Sequence, residues 1–310
     1  MELRHLRYFV QVADDLHFAR AAARLGMSQP PLSQQIRALE DELGVRLLDR
    51  TSRRVTLTAA GTLFLDAARE TLAQADRAMT IARRSARGEL GELRIGFNAS
   101  APFVARIASA IHDFRKAFPD VHLALSEVAG SAQFPAILDR SLDVGFVRSA
   151  EPPVLPPGLS ATLILTERLF VAMHPHHPLA AREGLHLSDL ANEPMLVYAS
   201  DRGGGFTGEL FALLRGAGVE PLIAQSVREI PTLLGLAAAG IGVTVLAQSL
   251  CALQSSGLVY LPLLDAGAHT AMWLVHRRKG ATLPCENFLE IIREHDRPDD
   301  EQLRTRTLIR

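Results

Sequence analysis

Residues 18–37 read FARAAARLGMSQPPLSQQIR: a helix-forming run, a glycine at Gly26, and a second run that opens with Pro30 and Pro31. The spacing predicts two helices joined by a tight turn, the unit whose second helix enters the DNA major groove. Leu32, Ile36, Leu39 and Leu43 fall at steps of four, three and four and form one apolar stripe on that second helix. At about 100° per residue, the opposite face carries Pro30, Ser33, Gln34, Arg37 and Asp41. Ser28 stands at the N-cap position, and proline fits the first turn because those amides have no helical acceptor. Upstream, Leu3, Leu6, Phe9, Val10 and Ala13 mark a first helix. Phe18, Ala22 and Leu25 mark the inner side of the next, with Ala21 and Ala22 small enough for close helix approach.

A three-helix bundle with a merely solvated polar face is the bland alternative. Two features favour DNA. The polar face holds short hydrogen-bonding side chains and arginine rather than a Glu/Lys mixture. The segment from Arg50 to Thr58, RTSRRVTLT, is a basic turn between short apolar pieces, as a wing touching phosphates or the minor groove requires. Beyond it, Thr58 to about Arg87 reads as one helix. Leu65, Ala68, Leu72, Ala75, Met79, Ala82 and Ala86 recur at heptad spacing. Such a seam serves either a helix packed on its own domain or a two-helix contact between protomers. Its narrowness and alanine content favour the second.

Composition places limits on the rest. The 310 residues suffice for two or three domains. The net charge of −1 conceals an asymmetry: residues 1–88 hold 14 arginines against 10 acidic residues, and the remainder holds 19 basic against 24 acidic. A basic N-terminal module on a mildly acidic body suits DNA binding by one end. Two cysteines, Cys251 and Cys285, supply neither a disulfide framework nor metal-ligand spacing, which fits a reducing cytoplasm. No apolar signal core opens the chain. The uncharged stretch 230–250 is interrupted by Pro231, Gly235, Gly240 and Gly242 and reads as a buried helix and strand, not a membrane span. His174, His176 and His177 lie among prolines without carboxylate or thiol partners and read as a surface loop, so no metal is expected. No Ser/His/Asp, Cys/His or paired-carboxylate constellation stands out, which argues against an enzyme.

From Leu93 the pattern alternates between strand and helix: LRIGF, a helix near 103–118, VHLALSE, a helix near 133–140, DVGFV, and later ATLIL, RLFVAMH, PMLVY, helices from Phe206 and Pro231, VTVL, MWLVH and a closing helix near 283–295. This predicts α/β architecture with mainly parallel sheets. Ligands in such folds bind beyond the carboxyl ends of strands, often at helix N-termini. That rule selects Ser100, Ser131, the segment holding Ser200, Arg202 and Phe206, and Ile230 at the start of a helix. Hydroxyls, amides and one arginine suit a small carboxylate. Arg148 is expected either to reach a second carboxylate or, preferably, to form an ion pair between lobes.

The run from Leu3 to Gly61, nearly uninterrupted, resembles the winged helix-turn-helix of LysR-type transcriptional regulators. The resemblance implies DNA contacts at Gln29, Pro30, Pro31, Ser33, Gln34 and Arg53, to which the helical face adds Arg37. Relatives often carry arginine where this chain has Gln34; arginine favours guanine, glutamine adenine or a phosphate. The later segments VREI (227–230) and AAGIGV (238–243) resemble the regulators of aromatic-compound catabolism, in which Ser100 matches a ligand-binding serine and Gly130-Ser131 stands near a Gly-Thr pair. The fold implied is an N-terminal all-α winged helix-turn-helix (1–58), a dimerising linker helix (59–88), and a two-lobed, periplasmic-binding-protein-like α/β effector domain (92–296). Lobe I is expected at 92–162 and 268–296 and lobe II at 163–267, with a flexible tail at 297–310. The function implied is a cytoplasmic, homotetrameric regulator of a catabolic or metabolic operon. Its partners are double-stranded DNA, a small organic acid and RNA polymerase, with no cofactor and no membrane. The alternatives are a constitutive regulator without an effector and a small-molecule-binding protein.

Overall fold

The computed structural model describes residues 1–50, 54–199, 205–253 and 256–295. Arg53, Ser200, Arg202 and the tail 297–310 therefore lie outside the described residues. The chain divides into two units, Met1–Ala86 and Arg87–Arg310.

In the first unit α1 (Leu3–Asp15), α2 (Phe18–Arg24) and α3 (Gln29–Leu43) are followed by a hairpin of β1 (Leu48–Arg50) and β2 (Val55–Leu57) and by α4 (Ala59–Ser85). The stripe does what its spacing demands. Leu32, Ile36 and Leu39 are buried with Leu6, Phe9, Phe18, Ala21 and Ala22 in one apolar core, and Phe9 meets Phe64 of α4 edge to face at 5.2 Å. Gly26 takes φ +66°, the left-handed turn that ends α2 and that side chains resist. Gly61 is required for a different reason: a Cβ there would lie 1.9 Å from the Leu47 carbonyl oxygen. Thr58 caps α4, accepting from Gly61 N–H at 2.8 Å. Ser28 holds the N-cap position of α3 but makes no capping bond. The reason is local: a cap hydroxyl accepts from the second or third helical N–H, and here these positions are Pro30 and Pro31.

The expected seam along α4 is divided. Leu65 and Ala68 are buried and Leu72 packs on the same core, whereas Met79 and Ala82 are exposed. The proximal half is thus occupied within the unit.

The second unit contains β3 (Gly91–Phe97), α5 (Ala105–Ala117), β4 (Val121–Glu127), α6 (Gln133–Leu138), β5 (Val144–Arg148), β6 (Leu159–Met173), β7 (Pro194–Tyr198), α7 (Gly205–Gly216), β8 (Leu222–Val227), α8 (Ile230–Ala238), β9 (Thr244–Ala247), β10 (Val259–Pro262), β11 (His269–Arg277) and α9 (Leu283–Glu294). ATLIL and RLFVAMH form one long strand, β6, rather than two. Its first part, to Arg168, pairs antiparallel with β11; from Leu169 it pairs with β9 and, through Phe170–Met173, with β10. The strand therefore passes from one lobe to the other, with the change of partner between Arg168 and Leu169. Parallel pairing joins β3 to β4 and β5, and β7 to β8, while every pairing of β6 and β11 is antiparallel. The sheets are mixed because the crossover strand and its return run against their neighbours.

Separate cores mark the lobes. Leu93, Ile95, Phe114, Phe146, Leu274 and Phe288 form one, and Val171, Met195, Leu214, Val243 and Leu263 another. Lobe I also buries an ion pair. Arg277 Nη2 meets Asp143 Oδ1 at 2.9 Å, and Nη1 donates to the carbonyls of Ile137 and Leu142.

Candidate DNA interface and effector cleft

On α3, Gln29, Pro30, Ser33, Gln34 and Arg37 line one open depression. Burial of the opposite stripe forces them outward together, so five of the seven expected DNA contacts share a surface. Pro31 is exposed on the same first turn without lining the depression. Arg37 also borders an adjoining depression with Glu40, Asp41, Gly44, Val45, Arg46, Leu48 and Arg50.

Sequence reading missed Glu40, which ties the wing to α3. Its Oε1 accepts from the N–H groups of Leu47 and Leu48 at 2.9 and 3.0 Å, and its Oε2 accepts from Arg50 Nη2 at 2.6 Å. The Arg50 guanidinium stacks 4.9 Å from the Phe18 ring centroid. Burial lowers the Arg50 pKa, Glu40 opposes that shift, and the neighbouring Arg37 and Arg46 add to it. Arg50 thus holds the wing in place, although its position in a basic turn suggested DNA.

In the second unit, Ser100 follows β3 as expected, but its hydroxyl is buried and engaged. It donates to Asn98 Oδ1 at 3.1 Å and accepts from Arg148 Nε at 2.8 Å. Arg148 Nη1 pairs with Glu167 Oε1 at 2.5 Å, both side chains under one-tenth exposed. Glu167 Oε2 also accepts from Ser249 N–H at 2.6 Å. Ser249 lies in the short 3₁₀ turn Gln248–Leu253, which packs through Leu250 into lobe II. One connected cluster therefore joins the turn after β3, the strands β5 and β6, and lobe II around a single guanidinium. Burial lowers the Arg148 pKa; Glu167 and, more weakly, Glu209 raise it. Arg148 forms an ion pair, as preferred, but with Glu167 on a neighbouring strand of lobe I rather than across the lobes; the bond that crosses to lobe II is Ser249 N–H to Glu167.

Among the described residues, the other expected effector contacts do not join this cluster. Ser131 is exposed on a 3₁₀ turn, Phe206 packs against the lobe II core and Ile230 against Leu234 and Leu250. Glu167 and Ser249 were not anticipated, although an acidic side chain inside an apolar strand pattern is a signal for an internal partner. Among the described residues no group of three or more His, Cys, Asp or Glu could hold a metal ion, and His177 pairs with Glu193 at 3.2 Å. No helix among them is long and apolar enough to cross a membrane.

A helix-turn-helix unit joined to a two-lobed α/β domain defines a class of DNA-binding regulator, and comparison with known proteins narrows it. Residues 3–62 match the bacterial regulatory helix-turn-helix protein, lysR family, and residues 86–297 match the LysR substrate binding domain. The chain is 45% identical to the uncharacterised HTH-type transcriptional regulator YnfL of Escherichia coli (strain K12) over 89% of this chain and 92% of that one. It is 38% identical to the HTH-type transcriptional regulator BenM of Acinetobacter baylyi over 95% of this chain and 96% of that one. Among solved structures, full-length CbnR complexed with its target DNA superposes with TM-score 0.82 at 30% identity, covering 95% of this chain and 99% of that one. The BenM effector binding domain with its effector benzoate gives 0.60 at 33% identity, covering 66% and 91%. The chain belongs to the LysR family of transcriptional regulators. It is a DNA-binding transcriptional regulator with an effector-binding domain, and its relatives are regulators, not enzymes.

Proposed function

We propose that this regulator controls a catabolic or metabolic operon in the cytoplasm in response to a small organic acid held between its lobes. Gln29, Pro30, Pro31, Ser33, Gln34, Arg37 and Arg53 contact the operator. Ser100 is the anchoring serine of the effector site, and Ser131, Ser200, Arg202, Phe206 and Ile230 are further effector contacts. The exposed distal part of α4, including Met79 and Ala82, pairs two protomers, and the working form is a homotetramer. Dimerisation then sets two recognition helices on successive half-sites. The observation that carries the effector reading is the buried Ser100–Arg148–Glu167–Ser249 cluster, a polar junction bonded to both lobes. The benzoate bound by BenM makes a carboxylate the first class to try. An effector need only favour one lobe arrangement by about 1–3 kcal/mol.

A second reading, a constitutive regulator, draws on the same cluster, since Arg148 already holds an internal carboxylate. A thermal-shift screen of aromatic and dicarboxylic acids separates the two: stabilisation by one class supports the effector, and silence across the set supports constitutive action. For a hit, Ser100→Ala is expected to weaken binding in titration calorimetry while operator affinity stays intact. Equal binding by both proteins would remove Ser100 from the site.

A further inference from the structure

A second polar bridge joins the lobes, at Glu209 on α7. Its carboxylate accepts from Ser149 Oγ at 2.6 Å and from Ala150 N–H at 2.9 Å. The two ends are anchored in different cores. Ser149 extends the lobe I sheet: its N–H donates to the Ala271 carbonyl at 3.0 Å, and its carbonyl accepts from Ala271 N–H at 3.2 Å and Trp273 Nε1 at 3.0 Å. Helix α7 buries Leu210 and Leu214 in lobe II, and Thr207 Oγ1 donates to the Tyr198 carbonyl at 2.7 Å. Neither end can follow the other, so parting the lobes breaks both bonds. An ionised acceptor makes such bonds stronger than neutral ones.

We infer that Glu209 is a positioning residue that latches lobe I to lobe II in the absence of any effector. It sets the resting arrangement on which an effector acts; only that last consequence rests on the effector reading above. Hydrogen exchange of the full-length protein without ligand tests the latch. In Glu209→Ala the Ala150 amide is expected to exchange about tenfold faster or more. The Ser249 amide, held by Glu167 at the other bridge, is expected to exchange faster as well, because the lobes part together. The Leu210–Leu214 amides of α7 stay protected. Glu209→Gln, which can still accept from Ala150 and donate to Ser149 Oγ, restores most of the protection. Unchanged exchange at Ala150, a Ser249 amide indifferent to the substitution, or equally fast exchange throughout α7 would each overturn the latch. With no ligand present, such a failure is distinct from failure of the effector reading.

Discussion

The two units keep their candidate functional side chains in different places. In the DNA-binding unit the core of Leu6, Phe9, Leu32, Ile36 and Leu39 is apolar, and the expected contacts on α3 stand on its outer face. In the effector-binding unit charged side chains run through the interior, with Arg277–Asp143 inside lobe I and Arg148–Glu167 where the lobes meet. The difference separates fold from function in the first unit and joins them in the second. A surface contact can be removed with the core intact; a buried cation cannot be removed without stranding its partner.

The largest expected effect follows from that contrast. Arg277→Leu leaves the Asp143 carboxylate buried without its cation, although the Arg94 N–H still donates to it, and removes the donor shared by the Ile137 and Leu142 carbonyls. A loss of about 3–5 kcal/mol is expected, the usual result of halving a buried pair. The chain's single tryptophan, Trp273, lies on β11 and reports this unit in urea unfolding followed by fluorescence. A change below about 1 kcal/mol would show that the polar interior is not structural, and the contrast would fail.

Arg37→Ala is the matching experiment on the other side. The side chain is exposed, so stability is expected to move by no more than about 0.5 kcal/mol. Operator affinity should fall by about 1–3 kcal/mol if it reads a base, or the salt dependence should lose about one unit of slope if it meets a phosphate. Binding unchanged across salt concentrations would take Arg37 out of the interface.

Legibility in the sequence follows the same division. Periodicity reports which face of a helix is buried, so the stripe of α3 identified its outward face at once. It is blind to where a buried side chain finds its partner. Glu40 reads as one more charge on an amphipathic helix, yet it clamps Leu47, Leu48 and Arg50. Ser100 could be placed after a strand by topology; the guanidinium that meets it comes from Arg148, 48 residues on, and the Glu167 that neutralises that guanidinium from a third strand. The seam of α4 misled in part for a related reason. Heptad spacing is the same whether the stripe faces a partner or its own domain, and here the proximal half faces Phe9 and its neighbours.

The smallest expected effect sharpens the comparison through pH. His276 on β11 is half-buried and its ring Nδ1 lies 2.8 Å from the Arg277 carbonyl, so that nitrogen carries the proton. Burial lowers its pKa; the bond to the Arg277 carbonyl opposes the shift, and the nearby Arg293 and Arg277 add to it. The unfolded chain therefore takes up a proton at a higher pH than the folded one does. Stability is complete above the unfolded value of about 6.5 and declines as the pH falls through it toward the lower folded value. Trp273 fluorescence between pH 7.5 and 5.5 is expected to show a modest loss of unfolding free energy. His276→Asn keeps a donor for the Arg277 carbonyl but has no titrating ring, and its pH slope should be shallower. An identical slope in both proteins would mean that the acid sensitivity of this unit lies in its other groups, and that burial at His276 is without consequence for folding.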